Sequence, residues 1–265
     1  MKILELPKGF VTPASSRPIW RDDFGVRHGQ TYKPLHTSQK PGLGLRAQVQ
    51  SPKLERSVHL LSRGEIAAFF YLLYCPYVVD MREQYPVYDS EAFMRALRQG
   101  KRLHKSKCLT IDFHLTLALP PDFRHHSHWV SIKFDKTVLS QQDIQRAERE
   151  FNLADDRQST WEMMDSRDFP AGHLRNFAAL WTHFKFTRAW DLYSEASYFA
   201  RRIPQRSLRG TTHDVMTRHA RSLGIGVDHA FRLLSTAVSF GHLWLDHSFH
   251  YSADRALHLD SLHYE

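Results

Sequence analysis

At 265 residues and 31.0 kDa the chain is too long for most single cores and too short for three, which leaves one or two domains. Apolar residues at 42% and aromatics at 12% exclude a disordered chain, while a net charge of +8 at pH 7 favours a polyanionic partner, nucleic acid first. Only Cys75 and Cys108 occur, without metal spacing, and no apolar run approaches the ~20 residues that cross a bilayer; a cytoplasmic protein without disulfides or membrane span is expected.

Residues 1–56 hold six prolines and ten Lys/Arg against four Asp/Glu, which predicts an irregular basic arm. Within it Arg27, His28, Tyr32 and Lys33 interleave an aromatic with cations, a composition suited to phosphate contacts. SRGEIAAFFYLLY, residues 62–74, reads as a buried helix begun by Ser62 and stopped by Pro76. VVDMREQYPV, residues 78–87, is strand-like and closed by Pro86. LTIDFHLTLAL, residues 109–119, alternates, with Ile111, Phe113 and Leu115 on one face and Thr110, Asp112 and His114 on the other. Pro120, Pro121 and Asp122 break it, and WVSIKF, residues 129–134, alternates again, so the two predict a hairpin with His125, His126 and His128 in its loop. A polar helix over 141–151, a short strand over 160–164 and a helix over 174–181 follow.

After Trp190 the strands nearly vanish. Helices are predicted over 191–201, 212–223 and 227–239, with Arg201, Arg202, Arg206 and Arg209 leading into the second and a turn at Gly224, Ile225 and Gly226 before the third. Residues 242–246 and 256–260 can pair as a β-wing, which completes a winged-helix pattern. The expected organisation is an arm at 1–56, an α/β unit at 57–188 and an α-helical, winged-helix-like unit at 189–265.

Matching the apolar faces of the hairpin puts Asp112 and Lys133 together on the opposite face. An acid on one strand and S-x-K on the next is a loose form of the PD-(D/E)xK nuclease layout, in which an upstream helical Glu, here Glu65, completes the set. Carboxylates suit Mg²⁺, with Mn²⁺ able to substitute; the cation activates water and shields charge on the scissile phosphate, while Lys133 orients the water or stabilises the phosphorane. Ordinary explanations compete: Ser62 and Glu65 form an S-x-x-E capping box, and Asp112 with Lys133 makes an outward ion pair contributing about 0.2–1 kcal/mol. The three loop histidines offer zinc ligands, yet no Cys or carboxylate is spaced to close a structural site. Tyr85 and Tyr88 beside Arg82 suit either core packing or stacking on bases, and Arg82 joins Arg27, His28, Tyr32 and Lys33 as a candidate DNA contact.

HLLSRGEIAAFFYLLYCPYVVDMREQYPV, residues 59–87, resembles the TnsA endonuclease family, in which a helix with the catalytic Glu precedes a D-x-R-E-Q-x-P strand, here Asp80, Arg82, Glu83, Gln84 and Pro86. The likeness continues through Thr110, Asp112, Phe113 and Lys133, and GVRHGQTYKP at 25–34 is similar to the family's G-x-G-H-G-x-x-Y-x-P arm. The resemblance implies a restriction-endonuclease-like fold with Glu65, Asp112 and Lys133 on the catalytic positions. Ser131 departs from the pattern, since the family carries Gln and related nucleases an acid there; the Ile132 carbonyl is then a candidate metal ligand beside Glu65 and Asp112. The implied task is cutting the 5′ ends of a transposon in double-stranded DNA while a TnsB-type transposase handles the 3′ ends, with the C-terminal unit docking on a TnsC-type AAA+ regulator. A stand-alone restriction or repair nuclease of the same fold and a non-catalytic winged-helix DNA-binding protein remain open.

Overall fold

The first regular structure lies inside the segment expected to be irregular. β1 (Ala47–Ser51) and β2 (Arg56–Leu60) pair as an antiparallel hairpin with Val49 opposite Val58. Charge concealed it, because the cations of this stretch are buried rather than solvated. Lys53 Nζ donates to the carbonyls of Cys75 and Val78, each at 3.2 Å, and burial pulls its pKa down to about 7.

Helix α1 (Arg63–Leu73) begins where the sequence predicts, Ser62 Oγ accepting the Glu65 N–H at 3.1 Å. It lays Ala68, Phe69 and Leu72 on a four-stranded sheet. In the computed structural model, which describes residues 1–18, 21, 25–39, 45–88, 90–104, 108–204 and 207–260, that sheet has the order β3 (Val78–Tyr88), β4 (Cys108–Ala118), β5 (His125–Lys133), β6 (Thr160–Asp165). The first three strands are antiparallel. β6 returns parallel to β5, a connection that needs a crossover, supplied by helix α3 (Gln141–Asp155). Between β3 and β4 stands a helix absent from the sequence reading, α2 (Ser90–Arg98).

Two layers cover the sheet. α1 and α4 (Ala171–Phe184) share one face, where Phe69, Phe113, Val130, Phe177 and Leu180 join a single apolar core. α3 closes the other, its Ala154 packing with Tyr85, Ile111 and Trp129. The expected histidine loop is instead part of β5. His128 is fully buried and bonded to Thr160 and Glu162, which removes it from any surface zinc site.

The predicted C-terminal helices are α5 (Tyr193–Arg202), α6 (Thr212–Leu223) and α7 (Val227–Ser239), with Gly224 at φ 68 ending α6. The predicted wing is reduced to one bridge, Leu245 to Leu259; Arg206 lies outside the described residues. The larger apolar core is continuous from Ile3 to Leu257, with Ser235 Oγ on α7 donating to the Leu180 carbonyl on α4 at 3.1 Å. The N-terminal segment laces this together: Ile3 N donates to Glu162 at 3.1 Å and Thr12 N to the Phe240 carbonyl at 3.0 Å. The architecture is mixed α/β, and among the described residues no helix is long and apolar enough to cross a membrane.

Gly241 sits where the N-terminal segment meets the end of α7. At φ 78 it suits glycine, and a Cβ would overlap the Phe10 carbonyl and lie 2.9 Å from Pro76 Cγ. Gly241→Ala is expected to destabilise by about 3 kcal/mol through left-handed strain plus overlap. The readout is the urea midpoint, which falls at unchanged slope; a neutral midpoint would mean that the segment is not seated there.

Candidate functional site

Alternation along β3 puts Met81 in the core under α1 and Arg82 on the far face with His114 and Thr116. Gln84 interrupts the rhythm. Its φ of 48 lies in the left-handed region, which costs a residue with a Cβ about 1–2 kcal/mol. Beyond it the faces are exchanged: Tyr85, due beside Met81, packs with Ile111 and Trp129 and stacks on His114 at 4.3 Å. The Gln84 side chain, buried, turns toward α1. Its Nε2 lies 3.4 Å from Glu65 Oε2 and 3.5 Å from Asp112 Oδ1, so one amide bridges the two carboxylates.

Each acid is also anchored by backbone. Glu65 Oε1 accepts from Ser62 Oγ at 3.0 Å and Oε2 from the Leu61 N–H at 2.9 Å. Only the Ser62 half of the expected capping box forms, since the Glu65 carboxylate takes the Ser62 hydroxyl and the Leu61 N–H in place of the Ser62 N–H while Oε2 also faces the Gln84 amide. On the other side, the described pairing of β4 with β5 reaches Phe113 opposite Val130, and Asp112 Oδ2 then takes the Ile132 N–H at 2.7 Å. Amide and carbonyl of one strand residue point to the same edge, so the Ile132 carbonyl faces the Asp112 side. Gly64 makes room for this approach, since a Cβ there would stand 2.7 Å from Ile132 Cγ2.

Lys133 is not paired with Asp112. Its Nζ reaches Asp143 at 2.6 Å, and Asp143 is also the capping-box residue that starts α3 at Ser140. Ser131, in the position where the resemblance leads one to expect Gln or an acid, bonds the buried Glu150 of α3, which Arg146 holds at 2.8 Å. Thus α3 contributes Asp143, Arg146 and Glu150 to the surroundings of the acids, and none of the three was singled out in the sequence.

The D-x-R-E-Q stretch divides by role. Asp80 and Arg82 form a fully buried ion pair at 3.2 Å, and Glu83 receives both Arg56 amines at 2.9 and 2.7 Å. Gln84 alone turns to the acids. This corrects the expected DNA contacts: Arg82 is 0% exposed, Tyr32 donates its hydroxyl to the Glu83 carbonyl at 2.8 Å, and His28 lies beside Asp80 and Thr116. Burial takes these three out of a phosphate's reach in this structure, whereas Arg27 and Lys33 are exposed. Tyr85, fully buried, is likewise core.

Electrostatically the pair resists ionisation. Burial pushes the Glu65 carboxyl up, and the neighbouring Asp112 charge pushes it further, against the hydrogen bonds from Leu61, Ser62 and Gln84. Asp112 is raised first by burial and opposed by the Ile132 N–H; the charges of Arg146 and Lys133 also lower it, and that of Glu150 raises it. Two desolvated carboxylates sharing only a neutral amide fit a hard cation. Among the described residues no three His, Cys, Asp or Glu side chains converge on one metal position, so such an ion would draw on two carboxylates and backbone oxygen.

Gln84→Gly tests the bridge. Glycine accepts φ 48 without strain, so the fold should hold to within about 1 kcal/mol. Loss of the amide should move Glu65 to a still higher pKa, followed by carboxylate infrared titration; an unmoved Glu65 would sink the bridging role.

No family model matches the chain. The transposon Tn7 transposition protein TnsA of Escherichia coli is 38% identical over 81 residues, which is 30% of this chain and 30% of that protein. The matched stretch thus spans under a third of either chain, and what it supports is a likeness to TnsA.

Proposed function

We propose that this chain is a divalent-cation-dependent DNA endonuclease of TnsA type, cutting the 5′ ends of a transposon alongside a TnsB-type transposase and a TnsC-type ATPase. The observation that carries the reading is the meeting of Glu65 and Asp112, from a helix and a strand, on the single amide of Gln84. The partial likeness to a transposition protein supports the setting. In this reading residues 57–188 are a restriction-endonuclease-like unit, and the winged-helix-like helices of 189–265 dock on the ATPase.

Glu65 and Asp112 hold Mg²⁺ or Mn²⁺, with the Ile132 carbonyl as a further oxygen ligand. Bound there, the cation supplies activation of water and neutralisation of charge on the phosphate. Lys133, tethered to Asp143, directs its amine at the phosphate or the attacking water. Arg27 and Lys33 provide exposed charge for the DNA backbone.

Asp112→Asn separates chemistry from folding. Both carboxyls lie above their ordinary values, so between the unfolded value near ~4 and the folded one the native state binds more protons. Their contribution to stability is present below that range and lost as pH rises through the folded value. Removing one charge should therefore raise the melting temperature at neutral pH, at about 2–4 °C per kcal/mol relieved, while abolishing cleavage. Mg²⁺ should raise the melting temperature of the wild type and leave Asp112→Asn unmoved. Cleavage by the variant at wild-type rate would refute the assignment.

Lys133→Ala should keep the Mg²⁺-dependent melting shift and lose most cleavage. In transposition reconstituted with TnsB- and TnsC-type partners, 3′ cutting and joining continue while 5′ strands stay attached, so products shift from simple insertions to cointegrates. Simple insertions at wild-type frequency would exclude Lys133 from the reaction. Efficient cleavage by the wild type with no partner present would instead favour a stand-alone nuclease.

A further inference from the structure

We infer that α2 and the turn after it form a duplex-tracking arm, in which Arg95, Arg98, Lys101 and Arg102 hold DNA phosphates beside the Glu65–Asp112 pair. The inference rests on the nuclease reading and adds the surface on which the substrate lies.

Charge distribution gives the first argument. Residues 89–107 hold six Lys/Arg against two Asp/Glu, so half of the chain's net charge of +8 falls in this short stretch. Four cations of β5, α3 and the loops after β5 and β6 are already neutralised: Lys133 by Asp143, Lys136 by Asp168, Arg146 by Glu150 and Arg167 by Asp165, all within 2.8 Å. The side chains of Arg95, Arg98, Lys101 and Arg102 are exposed, and among the described residues no hydrogen bond or ion pair engages them. Counterion release on binding a polyanion draws on cations that are free rather than internally paired.

Placement gives the second. α2 joins β3 to β4, the two strands that carry Gln84 and Asp112. Gln84 precedes the end of β3 at Tyr88 by four residues and Asp112 follows the start of β4 at Cys108 by four, which puts the base of the arm about 13 Å from the pair. That is under half of the ~34 Å turn of a duplex, so DNA seated at the acids passes the arm.

The helix itself gives the third. Arg95 and Arg98, at i and i+3, share one face, and Lys101 and Arg102 extend it past the helix end. The opposite face carries Phe93 and Leu97, of which Phe93 leans on Tyr88 with ring centroids 4.9 Å apart. A nine-residue helix with this little support is marginal alone in water, and like charges along it repel until a polyanion lies across them.

The experiment uses the full chain with Arg95→Ala, Arg98→Ala and Arg102→Ala combined, its circular dichroism matching wild type. Anisotropy of a labelled duplex is titrated across KCl concentrations in EDTA. The expected result is a log–log salt slope shallower by about 2–3 and an affinity at low salt lower by at least about tenfold, equally for unrelated duplex sequences. Unchanged slope and affinity would overturn the arm. So would unchanged DNA binding accompanied by failure of Met94→Ser/Leu97→Ser to assemble with the transposase subunits, which would make α2 a protein-docking helix. Asp112→Asn, incubated separately with the duplex in Mg²⁺ and without EDTA, keeps the two readings apart: cleavage by that variant at wild-type rate removes the nuclease, while the salt slopes in EDTA still decide the arm.

Discussion

Two carboxylates that burial discourages from ionising face a single side-chain amide, and much of the molecule is arranged to keep them there. Glu65 is fixed by the start of α1, through Ser62 and the Leu61 N–H. Asp112 is fixed by the place where β4 and β5 part, through the Ile132 N–H. The amide reaches both only because Gln84 accepts a backbone conformation that a residue with a Cβ avoids. Strain, desolvation and mutual repulsion therefore converge on one spot, which is what makes it the candidate site.

The second layer of control comes from α3. One helix presents Asp143 to Lys133 and Glu150 to Ser131, with Arg146 between them also reaching the Thr110 carbonyl at 2.7 Å. Because Asp143 simultaneously caps the helix, the orientation of the lysine is coupled to the integrity of the first turn of α3. Lys133 and Arg146 are thereby matched by acids, whereas Arg95 and Arg98 on α2 and Lys101 and Arg102 just after it are exposed.

The N-terminal segment and the C-terminal helices are bound to the sheet through the same core. Lys53, buried under the Cys75 and Val78 carbonyls, fastens the β1–β2 hairpin to the α1–β3 junction, and Gly241 admits the Phe10 backbone next to Pro76. A disturbance in the C-terminal helices is thus a packing neighbour of α4, and α4 of α1, the helix that carries Glu65.

The sequence by itself determined the elements whose pattern is local: the cap and length of α1, the presence of strands β3, β4 and β5, and the three C-terminal helices with their Gly224 stop; the face expected to join Ile111 with Phe113 and Leu115 is instead split, Ile111 packing with Tyr85 and Trp129 on the other side of the sheet. The sequence also brought forward Glu65, Asp112 and Lys133, because a helical acid, a strand acid and a strand lysine are legible as types at a spacing. It misjudged charged residues whose partners are distant in the chain. Arg82 reads as a DNA contact, and Lys53 and Arg56 fall in the expected basic arm, yet all three are buried: Lys53 and Arg56 against a carbonyl and a carboxylate more than twenty residues away, Arg82 against Asp80 and, on the neighbouring strand, His114 and Thr116. Only the tertiary structure decided that Gln84 faces the acids, since a single left-handed residue reverses a strand's alternation, and that α3 supplies Asp143 and Glu150, since a crossover helix meets strands with which it shares no sequence period.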